Sequence, residues 1–434
     1  MASGRVVGTR EIPPDQVELG GGFARHASAN DGFGSRRWLE HDRVWFPSYP
    51  YEWPSEMLFA AGDLTIDLAE AVLGESFGLK DATPYNVLFE GARPVFVDLL
   101  SFEKRDPRDP TWLPYAQFLR MFVFPLLVRR EFGMGADQVF VSRAAGLEPD
   151  EVYAHCSWMR RLLPPVLTEV SIPTWLSKRA NQDDSKLYVP KRLADPEKAK
   201  FILVTQLKRL RKLLRKASAL RQGDSTWSGY MNTLSYSDQE FGQKKDLVQQ
   251  WLSDLRPKTV LDIGCNTGHF SALAAGSGAR VVGIDIDPVV VGRAWRRASA
   301  EHLDIQPLCV NLARPSPATG WRNAEYPSFL DRAAGSFELV LMLAVVHHLL
   351  VTERIPLDDI LRVAAELTTE HLVLEYVSKD DPMFQRITRG REALHADFTQ
   401  EAFELACQQQ FTVIQKQPVK GNLRWLYLLG KRKS

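Results

Sequence analysis

The run Val260-Leu261-Asp262-Ile263-Gly264-Cys265-Asn266-Thr267-Gly268-His269-Phe270-Ser271 constrains the fold more than any other part of the chain. An apolar, partly β-branched strand enters a turn with two glycines and then a pattern that opens a helix. Gly264 and Gly268 carry no side chain, so the backbone can bend sharply and approach a ligand at a helix N-terminus. The dinucleotide fingerprint G-x-G-x-x-G is the nearest competitor, but Asn266 stands at its second glycine and His269 at its third. A pyrophosphate needs those glycines for close backbone approach, which disfavours a nicotinamide or flavin dinucleotide.

A second strand, Val281-Val282-Gly283-Ile284-Asp285, places a carboxylate 21 residues after Gly264. A carboxylate at such a strand end can accept hydrogen bonds from two ribose hydroxyls. Asp285 is the candidate, and Asp287 reads as the cap of the helix that follows. A third strand ends in Cys309-Val310-Asn311-Leu312, where the Asn311 amide oxygen could accept from an adenine amino group or simply start a turn. A fourth runs from Phe337 to Leu343 and leads to His347 and His348. Ligands of open α/β sheets sit outside the carboxyl ends of the strands, so a histidine there could take a proton from an acceptor hydroxyl. His347 is the first choice and His348 the second; local packing at a helix start is the ordinary alternative. Two adjacent histidines without a third ligand nearby do not suggest a metal site.

Around these motifs, short apolar strands alternate with helices, which predicts a parallel α/β sheet. The expected strands are Thr259–Ile263, Arg280–Asp285, Ile305–Val310, Phe337–Leu343, His371–Tyr376, Phe411–Gln415 and Leu423–Leu429. A hairpin-like turn, Pro418-Val419-Lys420-Gly421-Asn422, joins the last two. This unit spans 225–434. Upstream, residues 1–50 read as an irregular arm and 51–197 as an α+β unit, with a helix over Ser55–Leu73, a hairpin of Tyr85–Phe89 and Pro94–Leu99, and a buried helix over Trp112–Val128. Between them, 198–224 forms a basic amphipathic linker helix. Its apolar stripe is Leu203, Leu207, Leu210, Leu214 and Ala217, and it ends near Gln222-Gly223-Asp224.

The formal net charge of +1 gives a 434-residue chain no global attraction to nucleic acid or membrane, so any such contact needs a local patch. The four cysteines are too sparse for a disulfide framework. The first sixteen residues lack the apolar core of a signal peptide, and no apolar run approaches the ~20 residues of a spanning helix. These features predict a cytoplasmic protein with no membrane insertion.

The motif pair at Asp262–Gly268 and Asp285 resembles motifs I and II of the class I S-adenosylmethionine-dependent methyltransferases. Longer stretches are similar to the bacterial NoeA-like nodulation methyltransferase group: Leu79–Val87, Pro94–Glu103, Val346–Leu349 with Ile355–Leu357, and Leu374–Met383. The resemblance implies a Rossmann-like sheet of seven strands closed by an antiparallel hairpin, preceded by the α+β unit, with S-adenosyl-L-methionine as cofactor. It implies that Asp262 and the loop Gly264, Cys265, Asn266 and Gly268 hold the methionine end and that Asp285 holds the ribose. Ile286, Asn311 and Leu312 complete the expected cofactor set.

The leading expectation is O-methylation of a small-molecule acceptor, a carbohydrate or secondary metabolite. The N-terminal half would then serve as lid, acceptor pocket or dimer surface, with Glu375 and Tyr376 as further walls; a homo-oligomer stays open. Two alternatives remain: an RNA or polyanion methyltransferase using the basic helix, which the near-neutral charge disfavours, and a non-catalytic cofactor-binding scaffold. Asp81, Asn86 and Asp98 also mimic a kinase catalytic segment, with an Asp and an Asn followed by a metal-binding Asp. The preceding residues show neither a Gly-rich loop nor a Val-Ala-Ile-Lys-like strand, so ordinary turn and strand-end roles are expected.

Overall fold

The computed structural model describes residues 4–13, 38–177, 192–219, 238–420 and 423–432. Most of the expected arm (14–37), the expected break at Gln222–Asp224 and the tip of the turn at Gly421 and Asn422 lie outside the described residues.

A seven-stranded sheet organises the C-terminal half. Its strands are β1 (Thr259–Ile263), β2 (Arg280–Asp285), β3 (Ile305–Cys309), β4 (Phe337–Met342), β5 (Thr368–Val377), β6 (Phe411–Lys420) and β7 (Arg424–Lys431). The spatial order is β6-β7-β5-β4-β1-β2-β3. β1 to β5 are parallel, and β7 runs antiparallel to both β5 and β6. The central strands are apolar on both faces, as helix-covered parallel strands must be; in β1, Val260, Leu261 and Ile263 are all buried. The strand order reverses between β1 and β4, which opens a crevice at their carboxyl ends.

β6 runs five residues beyond its expected end and passes through Pro418. A proline is tolerated because β6 is an edge strand, and its register against β7 shifts between Pro418 and Lys420. In the N-terminal half, helix α1 (Ser55–Ala71) gives way to a 3-10 turn over Val72–Glu75. Val87–Glu90 pairs with Arg93–Phe96, and Phe77–Leu79 pairs with Phe102–Lys104. The expected helix through Trp112–Val128 begins at Tyr115, makes a π turn over Leu119–Val123 and continues to Phe132. The π turn lies just before Pro125, where the ring removes a backbone donor from the ladder.

Helix α2 (Pro196–Ser218) buries Leu203, Leu207, Leu210, Leu214 and Ala217. It lies along α1, and its Arg211 pairs with Asp63, Asp67 and Glu70 of that helix. The remaining helices used below are α3 (Asp238–Leu255), α4 (His269–Gly276), α5 (Pro288–Glu301), α6 (Val346–Val351) and α7 (Pro382–Thr388).

The two halves share one core. Trp45 packs edge-on to Phe337 at 5.8 Å, and Gln306 Nε2 donates to Ser48 Oγ at 2.7 Å. Arg332 bonds Glu52 and the Pro47 carbonyl. Phe337, Gln306 and Arg280, which lies 5.0 Å from the Trp45 ring, all sit near the starts of their strands. Residues 45–53 therefore brace the amino edge of the sheet, away from the crevice. No helix among the described residues is long and apolar enough to cross a membrane.

Candidate functional site

The loop after β1 turns through three left-handed residues, Gly264 (φ +73°), Asn266 (φ +50°) and Gly268 (φ +76°). The amides of Gly264 and Cys265 donate to the Ile284 carbonyl at 2.8 and 3.0 Å, which ties the loop to β2. Asp285, at the end of β2, accepts from the amides of Asn266 (2.9 Å) and Asp287 (3.0 Å). Beneath the loop, Asp262 is 2% exposed and accepts from Ser271 Oγ at 2.6 Å. Burial pushes its carboxyl up to about 6, against the opposing hydrogen bond from Ser271.

A Cβ on Gly264 would stand 2.5 Å from Val345 Cγ2 on the opposite wall. Gly264→Ala should therefore cost roughly 1–3 kcal/mol through the left-handed φ alone, more from the clash, and weaken nucleoside binding. Thermal unfolding with and without S-adenosylhomocysteine checks this; unchanged stability and unchanged ligand shift would contradict it.

A cleft of about 320 Å³ opens at the carboxyl ends of β1, β2 and β4. Asp262, Gly264, Cys265, Asn266, Asp285, Ile286, Asn311, Leu312 and His348 all line it. Gly268 does not; as the first residue before α4 it packs against Ala294 of α5, 3.1 Å from where its Cβ would be. Asn311 Oδ1 accepts from the Ala313 amide at 2.9 Å, so it makes a turn as well as a wall. Asp287 caps α5 through the Val289 amide.

The two histidines are placed unequally. His348 is on the cleft wall, whereas His347 is 1% exposed behind it, its ring 4.2 Å from that of His348. Burial, with the neighbouring Arg424 charge, lowers the His348 pKa. Burial lowers His347 further, helped by His348, Arg424 and Lys244. Both rings are held neutral, and His348 is the one placed to meet a bound molecule.

Glu375 and Tyr376 are not walls of the cleft. Tyr376 packs against Phe403 at 5.0 Å, and Glu375 is wholly buried in an ionic group that sequence reasoning did not find. Lys244 Nζ meets Glu375 Oε2 at 2.5 Å, Arg424 Nη1 lies 3.4 Å from Glu375 Oε1, and Arg424 Nε meets Asp381 Oδ2 at 2.8 Å. Lys244 of α3 also lines the cleft, with Phe241 one turn before it. Asp381 caps α7 through the Met383 amide, and Ile387 of α7 forms part of the cleft wall. The ionic group thus joins α3, β5, β7 and α7 around the site. A single arginine at the head of the otherwise apolar run Arg424–Leu429 was the available signal.

No residue before Phe241 lines the cleft among the described residues, so the expected lid or acceptor pocket in the N-terminal half is not found in them. Two of the kinase-like residues are linked through Ser101: Asn86 Nδ2 donates to Ser101 Oγ (2.9 Å), which donates to Asp98 Oδ2 (2.6 Å). Asp98 also caps the turn through the Leu100 amide. On the basic helix, Arg209 pairs with Glu169 and Arg211 with the acids of α1, so two of its cations serve internal contacts rather than a polyanion.

The family model described as "Methyltransferase domain" matches residues 236–414. The nodulation protein NoeA of Rhizobium meliloti (strain 1021) is 31% identical over 394 residues, covering 90% of this chain and 81% of that protein. A tRNA U34 carboxymethyltransferase of Shewanella baltica (strain OS155 / ATCC BAA-1091) is 33% identical over 141 residues, and the chain spans only 37% of its length. Among solved structures, the N-methyltransferase NodS of Bradyrhizobium japonicum WM9 aligns over 46% of this chain and 100% of its own, at 16% identity and a TM-score of 0.33. Long-range identity to NoeA and the methyltransferase match over the cleft-bearing sheet agree with the strand order and the glycine loop. The chain belongs to the NoeA family of class I S-adenosylmethionine-dependent methyltransferases.

Proposed function

We propose that the cleft holds S-adenosylmethionine along the Gly264–Asn266 loop and Asp285, and that the enzyme methylates a hydroxyl of a small carbohydrate or secondary metabolite. The carrying observation is that His348, a neutral imidazole, lines the same cleft as Asp285 and the loop.

The residues fit the cofactor. Gly264 leaves a cradle that a Cβ would fill against Val345. Each Asp285 oxygen takes one backbone N–H, which leaves acceptor capacity for ribose hydroxyls. Ile286, 54% exposed on the cleft wall, offers an apolar surface to a base. The cofactor supplies an electrophilic methyl group whose leaving group is a neutral thioether. The protein's own work is then positioning, worth most of the rate, and removal of one proton from the acceptor. His348 accepts that proton; His347, its ring tilted against that of His348 at 4.2 Å, holds it in place. The described N-terminal residues 38–177 and helix α2 act as a brace for the sheet rather than as a catalytic unit. Four unpaired cysteines suit a cytoplasmic setting.

His348→Ala should lower kcat by about 10²–10⁴-fold and leave S-adenosylhomocysteine affinity nearly unchanged. Because burial lowers the His348 pKa below its usual 6.5, the base form persists into mild acid, and the acid limb of kcat/KM should fall below pH 6.5. Methyl transfer from a labelled donor to fractionated small metabolites, run as a pH series on both proteins, checks this. A variant with wild-type turnover, or methyl groups recovered on nitrogen alone, would sink the proposal.

A further inference from the structure

A second cavity of about 940 Å³ is formed by the segment that follows β5, with lining residues drawn only from 379–396. The segment is anchored at both ends. Asp381 is held by the buried Arg424, and Lys379 Nζ donates to the Ala396 carbonyl at 2.5 Å, closing the loop on itself. Inside it, Phe384 stacks on Phe398 at 5.5 Å and meets the His395 ring edge-on. This is a closed surface loop of the compact kind that often carries function.

Three cations, Lys379, Arg386 and Arg389, and two carboxylates, Asp380 and Glu392, line the cavity. Arg386 and Arg389 line the cavity, with Arg391 next to it, and all three are exposed. No carboxylate among the described residues is within ion-pair distance of any of them. Two carboxylates do line the cavity, and both are engaged by their own turns. Glu392 accepts from the Gly390 amide at 2.9 Å, and Asp380 lies against Ser378 Oγ at 3.5 Å. Arg389 is close enough to Glu392 for its charge to help lower that carboxyl, but neither arginine is tied into an ion pair, and such guanidinium groups match phosphoryl oxygens, which they can hold bidentately.

α7 lies between the two sites. Ile387 lines the methyl-transfer cleft, while Arg386, Arg389 and Gln385 line the second cavity. A helix with its side chains is about 10 Å across, so a group held by the arginines stands roughly that far from the cleft. That is the span between a sugar hydroxyl and a phosphate or pyrophosphate borne elsewhere on the same molecule.

We infer that the cavity formed by 379–396 binds the phosphate or pyrophosphate of a phosphorylated acceptor whose hydroxyl enters the cleft beside His348. The inference rests on the reading of the cleft as the methyl-transfer site. It narrows the acceptor to phosphorylated hydroxyl compounds, of which a nucleotide sugar and a lipid-linked phosphate are the two sources to separate.

The test uses the full chain saturated with S-adenosylhomocysteine, with Arg386→Ala/Arg389→Ala as the variant. Calorimetric titrations with inorganic pyrophosphate and with UDP-glucose form one arm, and flotation with phosphatidic acid vesicles forms the other. Pyrophosphate should bind the wild type and lose affinity by roughly tenfold or more in the variant. S-adenosylhomocysteine affinity should be the same in both proteins, which also reports that the variant is folded. UDP-glucose binding that follows the pyrophosphate pattern assigns a soluble acceptor; vesicle binding that follows it in place of UDP-glucose assigns a lipid one. Pyrophosphate binding that is absent, or equal in the two proteins, overturns the inference and leaves the methyl-transfer reading standing. Single-stranded RNA that binds far more tightly than pyrophosphate and depends on the same arginines overturns it in favour of a nucleic acid. Failure of S-adenosylhomocysteine to bind the wild type removes the methyl-transfer reading, and this inference with it.

Discussion

Asp285→Ala weakens S-adenosylhomocysteine binding by about 100-fold or more, because a hydrogen bond to a charged group contributes roughly 1.5–3 kcal/mol and a ribose offers two hydroxyls. The carboxylate has a second task that adds to the loss. It fixes the amides of Asn266 and Asp287, so its removal frees the loop after β1 as well as the sugar. Burial pushes the Asp285 carboxyl up, against the hydrogen bonds from those amides. Asp285→Asn separates the two roles, since the amide keeps one acceptor oxygen but loses the charge. It should fall between wild type and the alanine variant. Calorimetry on the three proteins measures the series; equal affinities would mean that the sugar is not held at β2.

Arg424→Met is expected to cost about 3–5 kcal/mol of stability, the usual penalty for leaving a buried charge without its partner. Arg424 is 1% exposed, and Asp381 and Glu375 are fully buried against it. Truncation removes both Arg424 hydrogen bonds from Asp381, while Glu375 keeps Lys244. Adding Asp381→Asn should recover much of the loss. The amide oxygen can still cap the Met383 amide, and the buried charge is gone. At roughly 2–4 °C per kcal/mol for a unit of this size, the single variant should melt about 6–20 °C lower. Differential scanning calorimetry of the single and double variants tests this. A single variant within a degree or two of wild type, or a double variant less stable than the single, would show that the ionic group does not hold α7 to the sheet.

The sheet was legible because its strands are written locally. Val260–Ile263, Val281–Ile284 and Leu339–Met342 are apolar runs with turn signals at their ends, and helix-covered parallel strands produce that pattern. Strand ends were less legible where tertiary context decides them. Pro418 looks like a terminator, yet an edge strand can carry it. The π turn at Leu119–Val123 has no distinctive composition, only a proline following it.

Gly264, Gly268, Asp262 and Asp285 stand out in the sequence because they sit in or beside the turns that end two strands. The preference for His347 over His348 is reversed at the cleft wall, since adjacent helical positions differ by about 100° in direction and sequence alone does not say which one faces the ligand. Lys244, Glu375, Asp381 and Arg424 were missed for a different reason. Their pairings join residues 131, 43 and 49 positions apart, and no local pattern encodes such contacts. Arginine at the head of an apolar strand marks a buried partner without naming it.

A crystal structure of the full chain with S-adenosylhomocysteine tests the central claim most directly. The ribose hydroxyls should lie on Asp285, the methionine end along Gly264 to Asn266, and His348 should face the sulfur across the cleft. Nucleoside density elsewhere, or His347 rather than His348 turned toward the sulfur, would contradict it.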